Sequence, residues 1–213
     1  MFIKVCCIRD LAEARLAVSA GAAAIGLVSE MPSGPGVIPE ERIAEIAAAV
    51  QRPTETFLLT ARRDADAIVE QHRRCRTTAL QLVDQVPVPE LLRLRKMLPA
   101  VRLVQVVHVD GEESVDEAQS VAAFVDALLL DSGNPRLPVK VLGGTGRVHD
   151  WSHSRRIREL AGVPVLLAGG LHPGNARTAI ETVRPAGLDI CSGLRTAGAL
   201  DEGKLRAFFA AIG

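Results

Sequence analysis

Short apolar runs and amphipathic segments alternate along the whole chain. The apolar runs are rich in Val, Ile and Leu, and residues at helical spacing follow each of them. The pattern predicts strands at residues 2–8, 23–28, 54–59, 78–83, 101–107, 127–130, 164–167 and 187–191. It predicts helices at residues 11–20, 39–50, 64–75, 88–97, 114–123, 151–160, 173–183 and 201–212. Asp10 and Asp150 stand where N-caps of two of these helices belong.

These elements form eight strand–helix pairs. The predicted strands are apolar throughout, which is typical of parallel strands that are buried on both faces. Eight pairs without a break in composition favour the α/β class, with a (β/α)8 TIM barrel as the architecture. We expect a single domain that spans residues 1–213. A doubly wound open sheet is the alternative that the same alternation allows.

Acidic or glycine-rich residues follow three strands in the last third of the chain. Asp131 ends the run at 127–130, while Gly169 and Gly170 follow 164–167, and Ser192 and Gly193 follow 187–191. The carboxyl ends of barrel strands share one rim, and backbone N–H groups after the last two strands commonly hold phosphate there. We therefore predict that these Gly and Ser residues bind a phosphate. Tight turns are the alternative explanation of the glycines.

The longest connection, residues 132–149, is rich in Gly and Pro. Connections of this length in compact domains are usually functional. We expect Gly144 and Thr145 to close over the phosphate. Arg147 and Arg195 are candidate contacts to a substrate carboxylate or phosphate, since arginine suits bidentate recognition of anions. A solvated surface position is the alternative for both arginines.

Composition narrows the classes of function. Hydrophobic residues make up 48% of the chain, and 25 basic residues balance 25 acidic ones. With five Phe, one Trp and no Tyr, the chain has few stacking platforms, so we expect no nucleic-acid partner. No apolar run is long enough to span a bilayer, and the first residues do not form a signal peptide. We expect no membrane partner and a cytoplasmic protein.

Cysteine and histidine spacing does not favour a metal site. Adjacent Cys6 and Cys7 lack zinc-ligand spacing, and no second cysteine pair completes a set. His149 and His153 are four residues apart at the start of a helix, without an acidic or third ligand, and we expect them to face solvent. We therefore expect no bound metal.

Several short motifs stand in a fixed order along the chain, and residues 4–8, Lys-Val-Cys-Cys-Ile, are the first of them. They resemble the Lys-Ile-Cys-Gly-Ile of the phosphoribosylanthranilate isomerases of tryptophan biosynthesis. Residues 129–132, Leu-Leu-Asp-Ser, and 143–146, Gly-Gly-Thr-Gly, follow its order. So do residues 167–171, Leu-Ala-Gly-Gly-Leu, and 189–193, Asp-Ile-Cys-Ser-Gly. The resemblance covers essentially the whole chain and is strongest in its last third.

Four positions depart from the family's motifs. Cys7 stands where the family has Gly, and Arg195 stands where Glu closes the last motif. Pro35 takes the place of the arginine that the family is expected to use for the anthranilate carboxylate. Val83 replaces the histidine of the motif Gln-Leu-His-Gly. The catalytic and phosphate positions persist, whereas the aglycone-facing ones have changed.

The resemblance implies an isomerase that performs an Amadori rearrangement on a phosphorylated small molecule, without a cofactor. N-(5'-phosphoribosyl)anthranilate would become 1-(2-carboxyphenylamino)-1-deoxyribulose 5-phosphate. Asp131 would be the general acid that opens the ribose ring, and Cys6 the general base that removes the C2 proton. Regular pleating would turn Cys7 toward the helices, where we expect it only to pack. The sequence does not decide the oligomeric state, and both a monomer and a homodimer are compatible with it.

Two other functions stay open. The lost loop arginine at Pro35 favours an isomerase on the same scaffold that acts on another phosphosugar. A non-catalytic barrel that binds a phosphorylated metabolite is the third possibility, and the retention of Cys6 and Asp131 argues against it.

Overall fold

Eight parallel strands close into a barrel. The computed structural model describes residues 1–32, 34–133, 146 and 148–213. The barrel strands follow chain order and are β1 (Phe2–Val5), β2 (Ala24–Val28), β3 (Glu55–Thr60), β4 (Ala79–Leu82), β5 (Arg102–His108), β6 (Ala127–Asp131), β7 (Val165–Leu167) and β8 (Gly187–Ile190). Each strand pairs with the next, and β1 also pairs with β8 with Val5 opposite Ile190. The predicted (β/α)8 barrel is confirmed, and the open-sheet alternative is wrong.

A helix lies between successive strands, and another follows the last. The helices are α1 (Leu11–Ser19), α2 (Glu40–Ala49), α3 (Ala65–Cys75), α4 (Val88–Met97), α5 (Glu113–Ala122), α6 (Trp151–Leu160), α7 (Ala176–Val183) and α8 (Glu202–Ile212). The predicted caps are confirmed, because Asp10 accepts the N–H groups of Ala12 and Glu13 at 2.8 and 2.9 Å. Asp150 accepts the N–H of Ser152 at 2.8 Å.

Helix α7 begins later than its sequence pattern predicts. Pro173 was expected in its first turn, but the helix starts at Ala176. The Asn175 side chain explains the difference, since its Oδ1 accepts the N–H of His172 at 2.9 Å and its Nδ2 donates to the Gly170 carbonyl at 3.0 Å. Residues 170–175 are therefore held as a loop at the barrel rim.

Buried apolar residues form two layers, one on each side of the strands. Leu58 of β3 and Leu80 of β4 belong to the layer between the barrel and its helices. Phe57 of β3, Val104 of β5 and Leu129 of β6 belong to the layer inside the barrel. Because strand side chains alternate between the two faces, strands β2 to β7 each contribute buried apolar residues to both layers. The barrel interior is thus packed, and an open cavity is left at the rim.

A short segment after β8 was not predicted from the sequence. It contains a 3₁₀ helix (Ser192–Leu194) and a hairpin formed by β9 (Arg195–Thr196) and β10 (Ala199–Leu200). We call the junction of β1 and β8, the first and last strands, the seam of the barrel. The segment lies at this seam beside α1, because Arg195 pairs with Glu13 of α1 at 3.0 Å. None of the helices in the described ranges combines the length and apolarity that crossing a membrane requires.

Candidate functional site

A cavity opens at the carboxyl ends of the strands. The empty space in it, including the open solvent at its mouth, is about 660 Å³, and its walls come from the ends of several strands and the loops after them. Cys6, Asp131, Gly169, Gly170 and Ser192 all lie in its wall. Residues predicted separately from the ends of β1, β6, β7 and β8 are therefore brought together at one site, as the barrel rim requires.

Cys6 lies just past β1, and its sulfur sits beside an ammonium group. Its backbone N–H donates to the carbonyl of Ile190 at 2.8 Å, which fixes its position against β8. A Cβ placed on Gly26 would lie 2.6 Å from the Cys6 sulfur and 2.8 Å from Nζ of Lys4, so both atoms occupy the space above that glycine. The pKa of the Cys6 thiol is lowered, first by a hydrogen bond from Cys7 and further by the charge of Lys4, although burial opposes both effects.

The ammonium of Lys4 is itself held by a carboxylate. Nζ of Lys4 lies 2.8 and 2.9 Å from the two carboxylate oxygens of Asp189 on β8, and Lys4 is fully buried. Burial opposes the charge on Lys4, but Asp189 and Cys6 together raise its pKa. The ring of Phe57 lies 5.6 Å from Nζ and completes the surroundings of the cation. Lys4 therefore remains charged under the site.

Cys7 does not face the helices, and that prediction is wrong. Strand β1 ends at Val5, so regular pleating does not extend to residue 7. Cys7 has a φ of 63°, a left-handed conformation that L residues other than glycine rarely adopt. This conformation turns the side chain toward the barrel interior, where it is buried beside Cys6 and lies in the cavity wall.

Asp131 ends β6 and is half-buried in the cavity wall. Its Oδ1 accepts the N–H of Ser132 at 2.7 Å, which orients the carboxyl group. His149 lies nearby and is half-buried, which differs from the solvent-facing position expected for it. Its Nε2 shares a hydrogen bond of 2.6 Å with Oγ of Ser154, and burial lowers its pKa. A neutral imidazole therefore stands near the Asp131 carboxyl group.

The loops after β7 and β8 pack backbone to backbone. Gly169 and Gly170 have φ values of 81° and 63°, so the first loop needs glycine at both positions. A Cβ on Gly193 would lie 2.0 Å from the carbonyl oxygen of Leu171, so a side chain cannot fit where the two loops meet. In the described part of the chain no hydrogen bond engages the N–H groups of Gly169, Gly170, Ser192 or Gly193. These amides are available to an anion.

Three predicted residues lie outside the described part of the chain: Gly144, Thr145 and Arg147. Gly146 between them is described, has a φ of 66° and lies in the cavity wall. A Cβ on Gly146 would be 3.6 Å from Oγ of Ser192, so this point of the long connection approaches the loop after β8.

Arg195 is occupied at the seam of the barrel. Its guanidinium lies 3.0 Å from each carboxylate oxygen of Glu13 and also donates to the carbonyl of Cys7. Its side chain is 7% exposed, and it is absent from the described residues of the cavity wall. This geometry favours a bracing role for Arg195 over the substrate contact that the sequence suggested.

One side of the cavity is apolar. Pro35 and Val83, the two replacements noted in the sequence, lie there with Met31 and Leu59. Gln81 lies in the same wall, is 3% exposed, and its Oε1 has no hydrogen-bond partner among the described residues. Sequence analysis did not select Lys4, Asp189 or Gln81. Polar residues inside apolar strands were the signal that could have found them, because such residues face either a ligand or one another.

The described residues contain no group of three or more His, Cys, Asp or Glu side chains that could hold a metal ion.

Comparison with known proteins agrees with this geometry. A sequence model described as N-(5'phosphoribosyl)anthranilate (PRA) isomerase matches residues 3–211. The N-(5'-phosphoribosyl)anthranilate isomerase of Haloferax volcanii is 35% identical over 211 residues, which cover 98% of this chain and 91% of that protein. Isomerase 2 of Methanosarcina mazei is 35% identical over 210 residues, covering 98% and 92% of the two chains.

Solved structures show the same relationship. The phosphoribosylanthranilate isomerase of Thermotoga maritima has a TM-score of 0.84 and 26% identity, covering 99% of this chain and 98% of that one. The enzyme of Thermus thermophilus has a TM-score of 0.84 and 25% identity, covering 100% and 98%. With a matching family model over nearly its full length and relatives above 30% identity, the chain belongs to the N-(5'-phosphoribosyl)anthranilate isomerase family.

Proposed function

We propose that the protein isomerises N-(5'-phosphoribosyl)anthranilate to the aminoketose by general acid–base catalysis, with Cys6 as base and Asp131 as acid. The observation that carries the proposal is the shared cavity, whose wall contains Cys6, Asp131 and both glycine-rich loops. We also infer that residues 1–213 act as a single domain, because the barrel is closed by pairing of its first and last strands.

Asp131 supplies the first proton. Protonation of the ring oxygen breaks the bond between that oxygen and C1 of the ribose, and the nitrogen lone pair forms a Schiff base at C1. The N–H of Ser132 at 2.7 Å holds the carboxyl group at the end of β6, and this fixed position suits proton transfer to a bound sugar.

Cys6 takes the second proton. When the C2 proton is removed, the C2–H electron pair forms a C1–C2 double bond and the π pair of the C1–N double bond returns to the nitrogen. The resulting enolamine then tautomerises to the aminoketose. A thiol is a base only when it is ionised, and the lowered pKa of Cys6 provides for this. The buried charge of Lys4 favours the thiolate at this position.

The substrate phosphate lies on the loops after β7 and β8. The N–H groups of Gly169, Gly170, Ser192 and Gly193, which have no hydrogen-bond partner among the described residues, support this assignment. Asn175 keeps the first loop in shape through its hydrogen bond to the Gly170 carbonyl at 3.0 Å. Gly144, Thr145 and Arg147 remain candidate contacts, while Arg195 braces the β1 end.

A second candidate keeps the chemistry and changes the aglycone. Pro35 and Val83 add apolar surface to the described wall that also contains Gln81, and neither of them can pair with a carboxylate. This surface favours an aminosugar phosphate whose nitrogen substituent carries no carboxylate, and transfer of an apolar substituent to such a wall is favourable.

Steady-state assays with phosphoribosylanthranilate test the proposal. We expect turnover by the wild type, and loss of kcat by at least about 10²-fold in Cys6→Ser and in Asp131→Asn, because each removes one proton transfer. Cys75→Ala is the matched control, since Cys75 is buried in α3 away from the cavity wall. Turnover of an aminosugar phosphate without the carboxylate, and none of phosphoribosylanthranilate, would select the second candidate. Full activity in either site variant would refute the acid–base assignment.

A further inference from the structure

We propose that the His149 imidazole takes up a proton when the substrate phosphate binds, and that its positive charge then helps to hold the phosphate on the loop after β7. The inference rests on the phosphate site of the proposed function, and it assigns to that site a residue that the acid–base mechanism does not use.

The described part of the cavity wall offers a phosphate little positive charge. It contains two carboxylates, Asp131 and Asp189, and no Lys, Arg or His side chain. Lys4 lies under the site, but both oxygens of Asp189 lie within 2.9 Å of its Nζ. A phosphate monoester carries about −1.5 to −2 charges at neutral pH, and the amides that would bind it are uncharged. A nearby group that can become positive would compensate this charge.

One ring nitrogen of His149 faces the first glycine of the loop after β7. A Cβ placed on Gly169 would lie 3.0 Å from Nδ1 of His149, so the ring packs directly against this residue. Nδ1 is buried and has no hydrogen-bond partner among the described residues. An anion on the Gly169 N–H would lie within about 9 Å of Nδ1, because that nitrogen is about 2.5 Å from the Cβ position and a hydrogen bond adds about 3 Å. This distance is close to one Debye length, and partly buried charges are screened less than exposed ones.

The other ring nitrogen orients the ring and tolerates a second proton. Nε2 shares a hydrogen bond of 2.6 Å with Oγ of Ser154, a residue of α6 that is fully buried. A hydroxyl group can donate or accept, so this contact persists whether or not Nε2 carries a proton. Nδ1 can therefore gain a proton without a rotation of the ring.

The groups around His149 leave it neutral until an anion arrives. Burial lowers its pKa, the charges of Asp131 and Asp150 oppose this effect without overcoming it, and His153 adds to it. Asp131 acts from the end of β6, and Asp150 and His153 act from the start of α6. Gly169 faces the ring from the loop after β7 and has no charged side chain. A phosphate on that third side adds negative charge, which favours the imidazolium.

NMR titration of the wild-type protein tests this proton uptake. The ring resonances of the five histidines are followed across the range in which histidines titrate, with and without sodium sulfate. Sulfate stays a dianion throughout this range, so it exchanges no proton itself. The resonance that is missing in His149→Gln, checked against His149→Asn, identifies His149. His72 is the internal control, because it lies in α3 and is absent from the described cavity wall.

We expect saturating sulfate to raise the titration midpoint of His149 by about one to two pH units, as two charges at this distance predict, and to leave that of His72 unchanged. At about pH 6, sulfate should bind His149→Gln about tenfold more weakly than the wild type, and the two affinities should converge as pH rises. Ionisation of Cys6 weakens sulfate binding in both proteins, so the ratio of their affinities is the measured quantity. His72→Gln should bind sulfate as the wild type does.

The kinetics give a second readout. The KM of His149→Gln for phosphoribosylanthranilate should exceed that of the wild type most strongly at low pH, with little change in kcat, because the charge acts on binding. A role of His149 in packing alone predicts a KM ratio that does not depend on pH.

Two failures are distinguishable. A His149 midpoint that sulfate does not move, while the amide resonances of Gly169 and Gly170 shift, would overturn the inference and leave the phosphate site standing. Sulfate that shifts neither the ring nor those amides would overturn the phosphate site itself, and with it the role of His149.

Discussion

Replacing Lys4 by methionine should cost a large part of the stability of the barrel. Lys4 is fully buried and Asp189 is 7% exposed, and their charged atoms are 2.8 and 2.9 Å apart. Removing one partner of such a pair leaves an uncompensated buried charge and costs about 3–5 kcal/mol. Domains are typically stable by only about 5–15 kcal/mol, so Lys4→Met should lower the urea midpoint substantially.

The origin of the cost can be isolated with a second substitution. Asp189→Leu in the Lys4→Met background removes the stranded carboxylate, and apolar replacement of a whole buried pair is often neutral or stabilising. The double variant should therefore be more stable than Lys4→Met alone. Arg42→Met is a control, because Arg42 and Glu45 pair at 3.4 Å with side chains 48% and 51% exposed. That exposed pair should contribute less than about 1 kcal/mol.

The pH dependence gives an independent check. Without Lys4, burial and then the charge of Asp131 raise the folded pKa of Asp189 above its unfolded value. The folded state then binds the extra proton, so the Lys4→Met protein should gain stability as pH falls toward the unfolded value and lose it as pH rises. The role of the buried ion pair would be refuted if Lys4→Met lowered the free energy of unfolding by less than about 1 kcal/mol at neutral pH. It would also be refuted if the effects of Lys4→Met and Asp189→Leu on that free energy were strictly additive.

Three further predictions concern the rim and the seam. Gly193→Ala should lower kcat/KM on the order of 100-fold, because its Cβ would lie 2.0 Å from a carbonyl of the neighbouring loop. The two loops would have to move apart, and the substrate phosphate would be misplaced. Gly203→Ala in α8, measured in parallel, should leave the kinetics unchanged. Gln81→Leu should raise KM about tenfold yet hold or raise the urea midpoint, since it removes a buried acceptor without a described partner; a drop in stability with unchanged KM would contradict a ligand contact. Burial opposes the charge of Glu13, but hydrogen bonds from Arg195 lower its pKa below the usual value for a glutamate. The ion pair with Arg195 therefore stabilises the fold above the usual pKa of glutamate, and this stability is lost as pH falls through the lowered pKa. Glu13→Gln should make the melting temperature depend less on pH in acid. The same pH dependence in the variant and the wild type would contradict this prediction.

Local sequence patterns were sufficient to predict the strands and helices of the barrel. Helix α4 occupies residues 88–97 as predicted, and Asp10 and Asp150 cap the helices that their positions indicated. These features depend on residues close in sequence, and apolar spacing and capping chemistry report such contacts directly. The position of the site at the rim could also be predicted, because parallel strands in one barrel bring their carboxyl ends together.

Contacts between residues that are distant in sequence could not be predicted from local patterns. Nothing near Lys4 indicates a carboxylate 185 residues later, and nothing near Arg195 indicates that Glu13 lies beside it. Cys7 was misplaced because alternation assumes that a strand continues, whereas β1 stops at Val5 and the backbone turns left-handed. The register of β1 against β8 places Lys4 opposite Asp189, and a single sequence does not reveal register between distant strands.

The pairing of the first strand with the last has a consequence during protein synthesis. Lys4 emerges from the ribosome before Asp189, which follows 185 positions later. Chains emerge amino terminus first, so a growing polypeptide lacks the partner of its buried cation, and the site cannot assemble around Cys6. We expect nascent chains released before β8 to be inactive and vulnerable to proteases, and the enzyme to become competent only after β8 has been synthesised.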